Sequence, residues 1–251
     1  MKNKIGMLFT SLGISFFLGA ILFFFTYNTS KLGESPPRLL VLLGGDFPAG
    51  IIQIVTYFLF FIGIFEIYGQ LKWVKNQNEG FYSKLLPEKE NWVLSPQDVS
   101  MVRLQALDVF KQRNLLLADL IRKACEKYRS DKSPADSLAV LSAQVKINIS
   151  NSESEQSLTR YVIWAIPSVG FIGTVIGISA SLGFAGEANT PEGIIKITTT
   201  LSIAFDTTLV SLFLSLILMY IYHDLQEKIE KFHNKSEEYI IENLINRIYH
   251  S

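Results

Sequence analysis

Between Tyr161 and Gly186 the chain runs for 26 residues without an Asp, Glu, Lys or Arg, and no other stretch constrains the fold as tightly. A transmembrane helix needs about 20 predominantly apolar residues, so this run is long enough to cross a bilayer. It also carries Pro167, four glycines between 170 and 183, and several hydroxyls. A helix surrounded only by lipid has little use for such groups. A helix that packs closely on others, or borders a polar path, does.

Three further runs are comparable: Met7–Tyr27, Ala49–Gly69 and Ile197–Tyr222, the last two holding one acid each, Glu66 and Asp206. Four such runs predict an all-α, polytopic membrane protein with four transmembrane helices. The start, Met1-Lys2-Asn3-Lys4, resembles a signal peptide. The apolar run after it is longer than an h-region and no small-residue cleavage site follows, so it is expected to stay as the first span. The 251 residues balance 23 basic against 23 acidic side chains. With no dense basic cluster, nothing marks a nucleic-acid partner. Cys125 is the sole cysteine, which excludes an intramolecular disulfide and leaves an inert thiol as the expectation.

Lys and Arg are unevenly spread. Two precede the first run, two lie in 28–48, fourteen in 70–160, one in 187–196 and four after 222. The positive-inside bias assigns 70–160 and the tail to the cytosol, and with four spans the N-terminus as well. The expected organisation is an N-terminal transmembrane hairpin (1–69, spans about 7–27 and 49–69), a helical cytosolic domain (70–160), a second transmembrane hairpin (161–222, spans about 161–186 and 197–222) and a cytosolic C-terminal helix (223–251). The loop with Pro36-Pro37 and Gly44-Gly45 is expected at the outer surface. Glu66 suits the headgroup region, or a pair with Lys72 or Lys75, better than a role in proton passage.

In the insert, Leu104, Leu107, Phe110, Leu117, Leu120, Ile121, Ala124 and Tyr128 recur at helical spacing over 98–129. Ser133 or Asp131 is a candidate cap for a further helix after the Ser133-Pro134 break. The polar segment 148–157 predicts a turn before the third span. In the tail, Leu225, Ile229, Phe232, Ser236, Ile240, Leu244 and Ile248 form one apolar stripe on a charged helix, which needs a partner in the insert or in another subunit. The three histidines lack ligand spacing, so no metal site is expected. No phosphate-binding glycine loop, Walker-type pair or nucleophile elbow is present, and nothing suggests an enzyme.

The third and fourth runs carry the chemistry. Gly173, Gly177 and Ser181 fall four apart and make a small-residue groove that admits another backbone. On the fourth run Ala204, Thr208, Ser211 and Ser215 share a face of small and hydroxylated side chains. Two such faces can line a narrow polar passage. They can also simply pack, with hydroxyls bonded to their own helix, and spacing alone favours packing. Asp206 is two residues, and so about 160°, from Thr208. It should be paired or protonated and face protein or water, and a structural hydrogen bond to a neighbouring helix explains it at least as well as a central ion-ligand role.

The run Pro167-x-x-Gly170-x-x-Gly173-Thr174-Val175-x-Gly177-Ile178 resembles the signature of the MotA/TolQ/ExbB proton-channel family. Ala204-Phe205-Asp206-Thr207-Thr208-Leu209-Val210-Ser211-Leu212 is similar to that family's Ala-Phe-x-x-Thr-x-x-Gly pattern. The order, the spacing and the long insert before a short outer loop agree too. Four spans resemble the flagellar stator branch, while the glycine motif is at least as close to the three-span TolQ and ExbB branch. The resemblance implies a homopentamer around two copies of a single-span partner of the MotB/TolR/ExbD type in a bacterial inner membrane. The partner's membrane aspartate would exchange H+ or Na+ as the transported ion, with no other cofactor. It further implies an ion path along Thr174 and Thr208, extended here to Thr207, Asp206 and Ser211, with Pro167, Gly170, Gly173, Gly177 and Ser181 in helix packing. Two departures stand out: Asp206 occupies a position usually apolar in the flagellar branch, and Ser211 replaces a common glycine. The alternative is a membrane scaffold that recruits cytosolic partners without conducting ions. A small-molecule transporter is disfavoured, because the spans show no internal repeat.

Overall fold

A computed structural model describes residues 2–33, 35–46, 50–88 and 93–248. Ala49, the expected start of the second span, and His250 lie outside these. Among the described residues the protein is all-helical: α1 (Lys2–Lys31), α2 (Arg38–Leu40), α3 (Gly50–Tyr82), α4 (Pro96–Arg113), α5 (Leu116–Asp131), α6 (Pro134–Glu155), α7 (Ser157–Gly183) and α8 (Pro191–Asn243). Four helical stretches are long and apolar enough to cross a membrane: Ile5–Lys31, Gly50–Tyr82, Pro134–Gly183 and Pro191–Arg247. The chain divides into two compact units, Met1–Tyr68 with Ser157–His223, and Gly69–Gln156 with Asp224–Ser251.

In the first unit large apolar side chains point outward. α1 exposes Phe9, Phe16, Phe17 and Phe24 while burying Ser11 and Ser15, whose hydroxyls donate to the carbonyls of Met7 and Ser11 one turn earlier (2.8 Å each). That pattern suits lipid, where apolar surface needs no cover and polar groups must be satisfied within the protein. The segment after Pro36-Pro37 is more than a surface loop. α2 passes into a π-helical turn, Val41–Gly45. Leu40, Leu42 and Leu43 pack against the cluster of Leu22, Tyr57 and Val210, and the Tyr57 hydroxyl donates to the Leu43 carbonyl at 2.8 Å. Gly44 closes the turn at φ +99°, in the left-handed region that glycine adopts without a Cβ penalty.

The second unit has the opposite pattern, with large apolar side chains inside. Val99, Val102, Ala106, Leu117, Ile121 and Leu141 pack in one core with Ile240, Leu244, Ile245 and Ile248, so the stripe on the tail finds its partner in the insert. Cys125 sits in this core, and burial pushes its thiol up to about 12, the environment of an unreactive cysteine. The pattern over 98–129 is two helices rather than one, because Asn114 adopts the left-handed conformation and ends α4. Gln77 from α3 holds this break: its Oε1 accepts from the Leu116 N–H at 2.7 Å and its Nε2 donates to the Asn114 carbonyl at 3.3 Å. Ser133 is the cap of α6, accepting from the Asp136 N–H. The turn expected over 148–157 is instead helical through Glu155. Asn148, Ser152 and Gln156 recur every four residues and are buried together, so they form a polar helix face rather than a loop. The tail helix is shorter than expected: α8 ends at Asn243 and a 3-10 turn spans Ile245–Arg247.

Candidate functional site

The site is built on the seam between α7 and α8, which run antiparallel. Gly170, Gly173, Gly177 and Ser181 line one side and are all buried. A methyl group on Gly170 would lie 1.7 Å from Ser211 Oγ. One on Gly173 would lie 2.5 Å from Thr207 Oγ1, and one on Gly177 2.5 Å from Ala204 Cβ. These glycines are therefore required by close approach of the two backbones. The Ser181 hydroxyl continues the seam by donating across it to the Ile197 carbonyl at 3.1 Å.

Pro167 has a defined role here. A proline inside a helix has no N–H for the carbonyl four residues earlier, which on α7 is that of Ile163. The Ser215 hydroxyl of α8 donates to that carbonyl at 3.1 Å. Ser215 thus satisfies the group that Pro167 leaves open.

Thr207 and Ser211, candidates for the ion path, are buried in the seam. Their hydroxyls donate within α8, Thr207 to the Ala204 carbonyl at 2.8 Å and Ser211 to the Thr208 carbonyl at 2.9 Å. Thr174 and Thr208 lie on its edge, half-buried, with their hydroxyls in direct contact. Thr174 Oγ1 is also 3.0 Å from the Ala204 carbonyl, and Thr208 Oγ1 is 2.9 Å from the Gly170 carbonyl. Two hydroxyls supply two protons, and three contacts compete for them. Either Thr174 donates to Ala204 and Thr208 to Thr174, or Thr208 donates to Gly170 and Thr174 to Thr208. Rotating both hydroxyls converts one arrangement into the other. In each, both protons are engaged and lone pairs are left to accept. A proton reaches a third group only when one hydroxyl turns from its internal acceptor.

Asp206 points elsewhere, as its 160° offset implies. It is 4% exposed and meets Arg38 in a bidentate ion pair, Nη1 to Oδ2 at 2.5 Å and Nη2 to Oδ1 at 2.6 Å. Arg38 Nη2 also donates to Ser202 Oγ at 2.8 Å. Hydrogen bonding to Asp206 raises the already high pKa of the guanidinium, so Arg38 is a permanent cation. Arg38 and Ser202 were not legible as site residues. The one available signal was charge: a basic residue in the loop between the first two spans and a lone acid in the fourth. Among the described residues, no group of three or more His, Cys, Asp or Glu is placed to hold a metal ion.

A family model for the MotA/TolQ/ExbB proton channel family matches residues 112–238, slightly more than half of the chain, and takes in the whole α7–α8 seam. No curated protein and no solved structure matches the chain.

Proposed function

The chain belongs to the MotA/TolQ/ExbB proton channel family, whose members are energy-coupling membrane subunits, and on that premise we propose that it is the ion-conducting subunit of a rotary motor in a bacterial inner membrane. In this reading five copies surround a dimer of a single-span partner, and both termini and the second unit face the cytosol. Each partner carries a membrane aspartate that is loaded with H+ or Na+ and discharged as the ring turns.

The observation that supports the reading is the Thr174–Thr208 pair. A carboxylate moving through a low-dielectric path alternates between a charged form, which needs donors, and a protonated form, which needs an acceptor. The pair answers the protonated form with a free lone pair, and the charged form when one hydroxyl turns from its internal acceptor to donate. Thr207, Ser211 and Ser215 are buried in the seam with their hydroxyls on carbonyls, whereas Thr174 and Thr208 lie half-buried on its edge and share two protons among three contacts. The Arg38–Asp206 pair holds α2 against α8 and neutralises the one acid of the fourth span, so that a cation is not trapped there.

The test is ion flux in proteoliposomes holding this protein with its single-span partner, under separate proton and sodium gradients. Thr208→Val and Thr174→Val keep the branched shape and remove the hydroxyl. Each is expected to lower partner-dependent flux about 100-fold or more, from the lower end of the range for losing a positioned proton-transfer group, with the complex intact. Wild-type flux in both variants would return the pair to a packing role. Absence of flux with every partner would favour a scaffold.

A further inference from the structure

Within the second unit α8 has a groove on either side, and the proposed ion path uses neither. One, of about 490 Å3, lies between α3 and α8, with Lys75, Lys228, Lys231 and Lys235 around Val74 and Phe232. The other, of about 330 Å3, lies between α6 and α8, with Glu153 and Glu230 beside Ile149 and Ile229. On α8 the first is lined by residues 228, 231, 232 and 235, and the second by 226, 229, 230, 233 and 234. At about 100° per residue these two sets face about 180° apart. The unit is basic on one flank and acidic on the other.

Each flank keeps two charges that the chain itself does not pair. Lys228 and Lys231 are held by Asp224 and Glu227, one turn back along α8. Lys75 and Lys235 have no ion-pair partner among the described residues, and Lys235 lies 4.6 Å from the centroid of the Phe81 ring. Glu153 and Glu230 have no ion-pair partner among the described residues either. The four charges share one level. Lys235 and Glu230 are about 7.5 Å apart along α8 at 1.5 Å per residue. Trp73 packs on Phe232 and Ser152 reaches His233 at 3.2 Å, which sets the adjoining Lys75 and Glu153 beside the same two turns.

Unlike charges on opposite flanks at one height are what a head-to-tail ring requires. Copies that cross a membrane in the same sense are related by rotation about its normal, and closed rings of this kind join unlike faces. α8 is a single helix from Pro191 to Asn243, long and apolar enough to cross the membrane, so groups at one level of α8 stay near one level around the ring. A two-fold contact between like faces would instead set lysine against lysine. We propose that the second units of adjacent copies dock flank to flank, Lys75 and Lys235 of one against Glu153 and Glu230 of the next, with α6 of the next copy entering the groove between α3 and α8. The proposal rests on the ring put forward above, but not on its copy number or on ion conduction.

The experiment is cross-linking in membranes that hold two co-expressed, differently tagged full-length chains, one Asn78→Cys and the other Asn234→Cys. Asn78 lines the basic groove and Asn234 the acidic one, and neither is one of the four charges. A short bismaleimide is expected to give a dimer carrying both tags, and little dimer from either variant alone. Adding Lys75→Glu and Lys235→Glu to the first chain should lower that yield about tenfold, as two exposed attractive pairs become repulsive. Adding Glu153→Lys and Glu230→Lys to the second chain should then restore it. Native mass spectrometry of the same preparations reads the copy number. Oligomers without the mixed dimer, a mixed dimer no more abundant than each variant linked to itself, or a yield that the first reversal leaves unchanged or the second fails to restore each overturn this interface and leave the ring standing. Monomers alone overturn the ring and the interface with it.

Discussion

α8 is one helix built on two opposite plans. Along 197–222 it buries small residues, Ala204, Thr207 and Ser211, and exposes Phe205, Leu209, Leu212, Phe213 and Leu216. Along 224–243 it buries Leu225, Ile229, Phe232 and Ile240, while Lys228 and Lys231 face outward with their carboxylate partners. The two patterns are those that lipid and water respectively favour. In lipid, apolar surface is not driven inward, so helices associate through close packing and interhelical hydrogen bonds. In water, each buried apolar Å2 contributes about 25 cal/mol, and large side chains go inside.

Steric replacement in the seam should break the first plan most completely. Gly170→Leu puts a branched chain where even a methyl would lie 1.7 Å from Ser211 Oγ. The expected result is loss of monodisperse protein after detergent extraction, with no flux. Normal yield and flux would mean that α7 and α8 are not closely packed. The second plan is tested by deleting the same side chain at two places on α8. Phe232 packs edge-on against Trp73 and Phe81, and Phe232→Ala should cost about 3–5 kcal/mol by thermal or denaturant melts. Phe213 is 63% exposed, and Phe213→Ala should stay within about 0.5 kcal/mol. A larger loss at Phe213, appearing as smaller oligomers, would show that its face is covered by another subunit rather than by lipid.

The Arg38–Asp206 pair sharpens the comparison because its two members differ in exposure, with side chains 58% and 5% accessible. Asp206→Asn frees an arginine that can turn to water. Arg38→Gln strands a carboxylate that cannot. Arg38→Gln should therefore be the costlier, at about 1–3 kcal/mol, and Asp206→Asn the milder, with a double-mutant cycle isolating the coupling. The reverse order would mean that Asp206 serves a partner other than Arg38.

These contrasts also explain what could be read in advance. The four runs were visible because charge-free stretches of that length have few other uses, and the glycine groove because small residues recurred at helical spacing. The bond between Ser215 and the carbonyl opened by Pro167 was not, since only the antiparallel register of α7 and α8 brings residues 52 positions apart together. Arg38 escaped for the same reason: its partner lies 168 residues away, on a helix face that periodicity alone leaves undefined. The break between α4 and α5 depends on the tertiary contact from Gln77. Over 148–157 polarity suggested a turn, but Asn148, Ser152 and Gln156 are a buried helix face, which sequence polarity cannot distinguish from a solvated one.

That buried polar face carries the smallest expected effect. Ser152 Oγ lies 3.0 Å from the Asn148 carbonyl and 3.2 Å from His233 Nε2, and its single proton can go to either. The other ring nitrogen, Nδ1, has no partner among the described residues. Burial holds the imidazole below its ordinary 6.5. The unfolded chain therefore binds the proton at a higher pH than the folded one. Stability is full above about pH 6.5 and declines as the pH falls below it, by at most about 1.4 kcal/mol per pH unit for one group. Glu153 and Glu230 line the same cavity and act in the opposite sense, since a carboxylate near an imidazolium favours it. Denaturant melts at pH 7.5 and 5.5 should show wild type losing more stability on acidification than His233→Gln, which removes the titrating ring. If wild type instead gains relative to the variant, the two carboxylates outweigh burial, and the polar layer is stabilised by a charged histidine.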